Sequence, residues 1–360
     1  MKTSDFIFSE EAKILPASKV SWKAPSNIAL VKYWGKSEPQ IPKNASLSFT
    51  LDACFTLTTL EYTPVTKQSE IDFSIFFDTQ QKDDFKPKIQ TFFKRIEAYV
   101  PFIKDYSFEI KTRNSFPHSS GIASSASGMS ALALCIMSIE RKLNPNIDSN
   151  YFYKKASFLA RLGSGSASRS INGSLVVWGE HPDFPGSSDL FGLVFSDKVH
   201  PVFQNYHDTI LLVDKGQKQV SSTVGHQLMH EHPFANQRFQ QAGNNLTQLK
   251  KALINGNTAD FIHIVESEAL TLHAMMMTSH PYFILMHPNT LSIIHKIWDY
   301  RIQHNSQICF TLDAGANVHV LYPESEKNAI NLFIINNLIQ FCEKGQYIND
   351  RVGFGAKEIV

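Results

Sequence analysis

The feature that most constrains this chain is a run of small residues, FPHSSGIASSASG at 116–128, leading straight into the clearest helical pattern in the sequence. Over 124–143, Met129, Leu132, Ala133, Ile136 and Ile139 recur near the helical period. Small side chains let a ligand approach the backbone N–H groups. A helix N-terminus adds unpaired donors and partial positive charge, a combination that favours phosphate. Ser124 and Ser125 add hydroxyls suited to phosphate or Mg²⁺. A serine-rich helix start without a ligand has the same composition, so this run alone leaves both readings open. The chain has no Walker A motif, GxGxxG fingerprint or GxSxG elbow, and a nucleotide site in it must be of another kind.

Around this helix, strand patterns read at 19–22, 28–33, 47–61, 106–112 and 174–178, with helices over 84–99 and 150–162. The 47–61 segment alternates well, with Phe49, Leu51, Ala53, Phe55 and Leu57 on one face. A Pro/Gly/Ser-rich turn, PDFPGSSD at 182–189, marks a domain boundary. Beyond it come strands at 209–214, 308–312 and 318–322 and helices near 233–255, 258–277, 289–304 and 325–342. Strands and helices mix without strict βαβ alternation, which predicts an α+β fold. The division expected is 1–190 and 191–360. A length of 360 residues suits two domains.

Net charge is +1 with no long run of one sign, which indicates neither a nucleic-acid nor a membrane surface. The N-terminus carries Asp5, Glu10 and Glu11 and does not read as a signal peptide. Cys54, Cys135, Cys309 and Cys342 are far apart among apolar neighbours, as expected of buried free thiols in a reducing compartment.

Three more segments carry candidate chemistry. GSGSASR at 163–169 follows a helix and precedes a strand. It offers Ser164, Ser166 and the planar five-donor fork of Arg169 to phosphate or carboxylate. In NIALVKYWGK at 27–36, Lys32 and Lys36 flank Tyr33 at a spacing that reaches one anion if the segment ends in a loop. In TLDAGAN at 311–317, Asp313 follows an apolar strand, a place from which a base can be aimed into a cleft. Each also has a bland reading: a turn with one surface Arg, a strand ending in lysines, an Asp that forms a turn. His226, His230 and His232 lack an HExxH pattern and a paired carboxylate, and read as surface residues rather than metal ligands. His273, His280 and His287 read the same way.

Taken in this order, the segments resemble the GHMP kinase superfamily, and most closely the diphosphomevalonate decarboxylase family. Residues 27–36 with 42–51 are similar to its opening signature, 116–128 to its phosphate loop and 163–169 to its GSGSACR segment. Residues 218–225 and 313–317 match two further segments. The likeness runs from about residue 19 to 323. It departs at Ala316, where the family has proline, at Ser168, where it has cysteine, and at His118, Ser119 and Ser120 after Pro117.

The resemblance implies a ribosomal protein S5 domain 2-like N-terminal domain and a ferredoxin-like C-terminal domain. The cleft lies between them. It implies ATP, Mg²⁺, a homodimer and a cytoplasmic setting. The implied reaction converts (R)-5-diphosphomevalonate and ATP to isopentenyl diphosphate, ADP, phosphate and CO₂. Asp313 falls on the catalytic aspartate and Lys32 on its lysine partner. Asn27, Tyr33, Lys36, Ser164, Ser166, Arg169 and Ser222 fall on substrate positions. Ser119, Ser120, Gly121, Ser124 and Ser125 fall on the nucleotide loop, with Ser124 toward Mg²⁺. Rival expectations are a phosphomevalonate decarboxylase, a 3-kinase that stops before decarboxylation, or a catalytically silent binding protein on the same fold.

Overall fold

The structure is a computed structural model and describes residues 1–10, 13–66, 69–117, 122–215 and 222–359. Its strands are β1 (Ser18–Val31), β2 (Lys36–Ser37), β3 (Ile41–Pro42), β4 (Ser46–Pro64), β5 (Phe73–Phe77), β6 (Gln80–Gln81), β7 (Tyr106–Asn114), β8 (Leu175–Trp178), β9 (Leu193–Val194), β10 (His207–Leu211), β11 (Cys309–Thr311), β12 (Val318–Tyr322), β13 (Tyr347–Arg351) and β14 (Lys357–Glu358). The α-helices are α1 (Lys86–Ile96), α2 (Ser124–Leu143), α3 (Ser149–Gly163), α4 (Ser222–Gln227), α5 (Ala235–Asn255), α6 (Thr258–Met277), α7 (Pro288–His304) and α8 (Lys327–Phe333).

The first sheet runs β14-β1-β4-β7-β5-β6, with β8 and β9 branching from β4. The 19-residue β4 explains the branch. Its start, Ser46 to Phe49, pairs with β8, and its later part, Thr56 to Pro64, pairs with β7. The two patterns read at 19–22 and 28–33 form one strand, β1, whose pairing with β4 slips between Pro25 and Asn27 and again between Ala29 and Val31. Pro25 lacks the N–H a regular ladder needs, so it sits where the ladder is irregular. From Ala24 to Val31 every residue of β1 is buried. Such a strand is covered on both faces and loses the alternation that marks a half-exposed one. α2 and α3 cover one face, where Trp22, Leu60, Leu132, Ile136 and Phe158 share a core. On the other side, Ile28, Leu30, Phe49 and Leu51 pack with Leu246 and Leu249 of α5 and Ile264 and Val265 of α6.

The second sheet, β11-β12-β10-β13, is antiparallel throughout. α6 packs on β11 and on the end of β1, so it touches both sheets. After β13 the chain crosses back. The Gly353 N–H donates to the Thr50 carbonyl, and β14 pairs with Trp22 and Lys23 of β1. The short strands β5, β13 and β14 are absent from the sequence reading. The helix expected over 325–342 is a broken one: α8, then a π-turn at Ile334–Leu338 and a 3-10 turn at Ile339–Phe341. All four cysteines are free and buried. Among the described residues no helix is long and apolar enough to cross a membrane.

Candidate active site

Lys32 is the first residue beyond β1, and Asp313 lies two beyond β11. Although 281 residues apart in sequence, their side chains meet, with Nζ 3.4 Å from Oδ1. The Lys32 side chain is 2% exposed and that of Asp313 29%, so the carboxylate is the partner that faces solvent. Burial pulls the Lys32 ammonium below the usual lysine range, against the opposing pull of Asp313 and Glu268, and Arg169 lowers it further. An opposite charge this close favours the ionised form of a carboxylate.

Three further segments converge beside this pair. The 3-10 turn Gly165–Arg169 follows α3 and buries Arg169 fully. The Arg169 Nε donates to Ser48 Oγ and Nη1 to Ser46 Oγ, both at 2.6 Å. Two of the five guanidinium N–H groups are thereby used, which leaves three for an anion. Burial lowers the Arg169 pKa to about 10, against the pull of Asp313 and Tyr33.

The Tyr33 ring lies edge-on to Trp178 at 4.6 Å and against His226 at 4.2 Å. Its buried hydroxyl has no hydrogen-bond partner among the described residues, and burial pushes its pKa up. Buried hydroxyls are normally paired, so this one is available to a ligand oxygen. A Cβ at Gly165 would stand 2.7 Å from the Trp178 ring and 2.9 Å from the Tyr33 hydroxyl, which is why the turn needs glycine there. Lys36, on the β2–β3 hairpin, donates to Gln40 Oε1 at 2.9 Å and lies 3.7 Å from Glu38. Its pKa is lowered by burial.

Asn27 has a different place. Its amide nitrogen donates to the Ser166 carbonyl at 3.1 Å and to Ser170 Oγ at 2.7 Å, so both its N–H groups hold the turn that carries Arg169. Ser164 Oγ lies 3.4 Å from Ser125 Oγ, which brings the turn and the start of α2 together. Ser166 is half-buried on the same turn. Ser222 opens α4, but its side chain lies outside the described residues, as do Ser119, Ser120 and Gly121.

His226 and His232 are buried, contrary to the surface reading of the 226–232 histidines. Each ring is tied to the backbone. The Gly35 N–H donates to His226 Nδ1 at 3.0 Å, and His232 Nε2 donates to the Met275 carbonyl at 3.0 Å. Burial, Lys36 and Arg169 lower the His226 pKa to about 3, so the ring is neutral. His273, also read as a surface residue, is 1% exposed. Among the described residues no group of three His, Cys, Asp or Glu is placed to hold a metal. A divalent ion at the start of α2 would therefore be held by phosphate oxygens with help from hydroxyls such as Ser124, a fitting set of hard ligands for Mg²⁺.

Next to α2 lies a cavity of about 220 Å³, lined by Thr56, Ile75, Phe77, Asn114, Ser124 and Gly128 among others. Its mostly apolar wall and its contact with the first turn of α2 suit a nucleoside whose phosphates reach the helix end. Ala123, before that turn, is left-handed (φ 42°, ψ 39°), and no side chain caps the helix. The Ala126 N–H donates to the Ala123 carbonyl at 2.8 Å, and no side chain closes off the turn. The sequence reading did not place this cavity, because its wall is assembled from β4, β5, β7, α1 and α2, which lie apart in the sequence.

The family model of the diphosphomevalonate decarboxylase-like N-terminal domain matches residues 24–189, and that of the mevalonate 5-diphosphate decarboxylase C-terminal domain matches 209–353. The chain belongs to the diphosphomevalonate decarboxylase family. It is 28% identical over 357 residues to the diphosphomevalonate decarboxylase of Ganoderma lucidum, an alignment that covers 92% of this chain and 84% of that one. A structure of mevalonate diphosphate decarboxylase from Enterococcus faecalis superposes with a TM-score of 0.80 at 26% identity, covering 95% of this chain and 99% of that one. A structure described as MDDEF in complex with MVAPP, AMPPCP and magnesium matches with the same score, identity and coverage.

Within this family the chain keeps the two-domain α+β architecture, with most of the first sheet in the first matched region and most of the second sheet in the second. Ser168, at the family's cysteine position, is buried, and its hydroxyl donates to the Gly165 carbonyl at 2.8 Å, so it closes the turn internally. Ala316 is buried, and its carbonyl accepts from Thr290 Oγ1 at 2.7 Å, which fixes the turn where the family has proline.

Proposed function

We propose that this chain catalyses the ATP- and Mg²⁺-dependent decarboxylation of (R)-5-diphosphomevalonate to isopentenyl diphosphate, ADP, phosphate and CO₂. The observation that carries the reading is the Lys32–Asp313 pair beside the buried Arg169, with a cavity that opens at the start of α2. The relatives named above bear the decarboxylase name, and one neighbour was solved with MVAPP, AMPPCP and magnesium.

In this reading Arg169, Lys36 and the Tyr33 hydroxyl receive the substrate diphosphate, with Ser164, Ser166 and Ser222 along its edge. Asn27 holds the turn that presents Arg169. Asp313 accepts a hydrogen bond from the 3-hydroxyl and takes its proton as the γ-phosphoryl group transfers to that oxygen. Lys32 keeps Asp313 ionised. Ser119, Ser120, Gly121, Ser124 and Ser125 form the phosphate loop that orients the nucleotide, with the nucleoside in the cavity lined by Thr56, Asn114 and Gly128. Bound Mg²⁺ offsets phosphate charge. A tertiary alcohol leaves poorly and a phosphate leaves well. As the C3–O bond breaks, the C1–C2 electron pair forms the alkene and CO₂ departs. Asp313 stabilises the developing positive charge at C3.

Incubation with ATP, Mg²⁺ and diphosphomevalonate should release CO₂ and isopentenyl diphosphate in equal amounts. ATP consumption without CO₂ would reject the decarboxylase reading in favour of a 3-kinase. Release from the monophosphate alone would reject the diphosphate. Asp313→Asn should lower kcat by orders of magnitude with substrate still bound, and turnover within tenfold of wild type, a difference of about 1.4 kcal/mol, would remove Asp313 from its role. The division at about residue 190, a homodimer and a cytoplasmic setting belong to the same proposal. The four free thiols suit a reducing compartment, and sedimentation measures the assembly.

A further inference from the structure

We infer that α6 is the ruler that sets the separation of Lys32 and Asp313, with Glu268 and His273 as positioning residues that grip the backbone at each end. The inference rests on the decarboxylase reading for its kinetic consequence, though not for its geometry.

Lys32 stands just past the end of β1, where the ladder no longer holds its peptide groups. Two side chains hold them instead. Glu268 Oε2 accepts from the Lys32 N–H at 2.8 Å, and Asn44 Nδ2 donates to the Lys32 carbonyl at 2.9 Å. Asp313 likewise lies past the end of β11, and its carbonyl accepts from His273 Nε2 at 3.1 Å. A carbonyl oxygen has no proton to give, so the ring must carry its proton on Nε2.

Glu268 and His273 are five residues apart on one helix, about 7.5 Å along its axis. Both are buried. The grip at the Lys32 end is braced. Glu268 is held by the two terminal Arg238 guanidinium nitrogens and by Asn245 Nδ2, all from α5, and α5 and α6 share the core under β1 and β4. A reacting pair drawn from two separate sheets is therefore tied to one rigid rod. The distance between a lysine near the chain's start and an aspartate near its end follows from the helix pitch rather than from either strand.

His273 supplies a second sign of function. Its Nδ1 is buried and has no partner among the described residues. A ring kept only for packing would be better replaced by an apolar side chain, because an unpaired buried nitrogen disfavours the fold. The imidazole is kept here for the Nε2–H.

The test uses Glu268→Gln, His273→Leu and His273→Gln in the full chain. Misplacing a reacting group by about 1 Å can cost about 100-fold. Glu268→Gln and His273→Leu are therefore expected to lower kcat for CO₂ release by up to that factor. KM for ATP and diphosphomevalonate should stay within about threefold. His273→Gln keeps an N–H donor and should recover most of kcat. In a Lys32→Met background, Glu268→Gln should cause no further loss. Raised KM with unchanged kcat would overturn the inference, as would an equal loss from Glu268→Gln with and without Lys32. Crystallography of His273→Leu gives a readout that needs no turnover: Lys32 Nζ and Asp313 should separate beyond contact, and an unchanged pair sinks the ruler. If the wild type releases no CO₂ but the pair still separates, the decarboxylase reading fails and the ruler stands. Should Glu268→Gln not fold, His273→Gln against His273→Leu decides alone.

Discussion

Arg169 shows how burial changes what a side chain is worth. On a surface turn it would be one solvated cation. Under Trp178, with Ser46 and Ser48 on two of its donors, it is pre-aimed at a single point. A lysine there would pay the same desolvation but would lack the fork. Arg169→Lys should therefore weaken diphosphomevalonate binding at least tenfold, about 1.4 kcal/mol, by calorimetry. Tyr33 tests the opposite balance. Its hydroxyl is buried without a partner among the described residues, so Tyr33→Phe should hold or raise the unfolding free energy, by about 1 kcal/mol at most, while KM for the diphosphate rises. A fall in stability with KM unchanged would show that the hydroxyl serves the fold.

At the scale of elements, the start of α2 carries the tension between helix and site. Gly128 sits in its second turn and lines the neighbouring cavity, and a Cβ built there meets nothing within 4 Å. Glycine inside a helix is destabilising by roughly 0.5–1 kcal/mol relative to alanine. Gly128→Ala should stabilise the chain by about that amount in denaturant titrations. Gly128→Leu should fill the cavity and raise KM for ATP, leaving affinity for the diphosphate unchanged. Elsewhere an added methyl group has no room. At Gly353 it would stand 2.5 Å from the Leu51 carbonyl oxygen, so Gly353→Ala should loosen the return of the chain to the first sheet and lower the melting temperature.

Across the whole molecule, the neutral histidines couple the fold to pH. Unfolded imidazole titrates near 6.5, whereas burial lowers His273 to about 4 and His226 to about 3. Between those limits the unfolded chain binds more protons than the native one, so stability falls as pH drops from about 6.5 towards 4. Above that window these two groups contribute no slope. For His273 the full loss is of the order of 3 kcal/mol. His273→Leu should flatten the acid limb of a plot of unfolding free energy against pH. An unchanged slope would mean that the ring is not buried neutral.

Much of this was legible in the residues because it is local. The bounds of α2, the α+β mixture and the small-residue turns follow from periodicity and from side-chain size, which act over a few neighbours. The ordered set of motifs pointed to Lys32, Asp313 and Arg169 together. What local chemistry cannot carry is distance and burial. No spacing relates Lys32 to a residue 281 positions away, nor Glu268 to the backbone N–H it holds. The histidines looked exposed because exposure is a property of what packs against them, and α5, α6 and the Trp34 region arrive from remote parts of the chain. The short strands β5, β13 and β14 gain most of their stability from partners in the sheet, which pattern alone does not show. The sequence by itself determined which groups are available and on which kind of element each sits. Only the tertiary structure decided which of them meet, because the two sheets are brought together by the packing of α6 on both and by the Asp350 carboxylate of β13, which accepts from the backbone N–H groups of Asp52, Ala53 and Cys54 in β4.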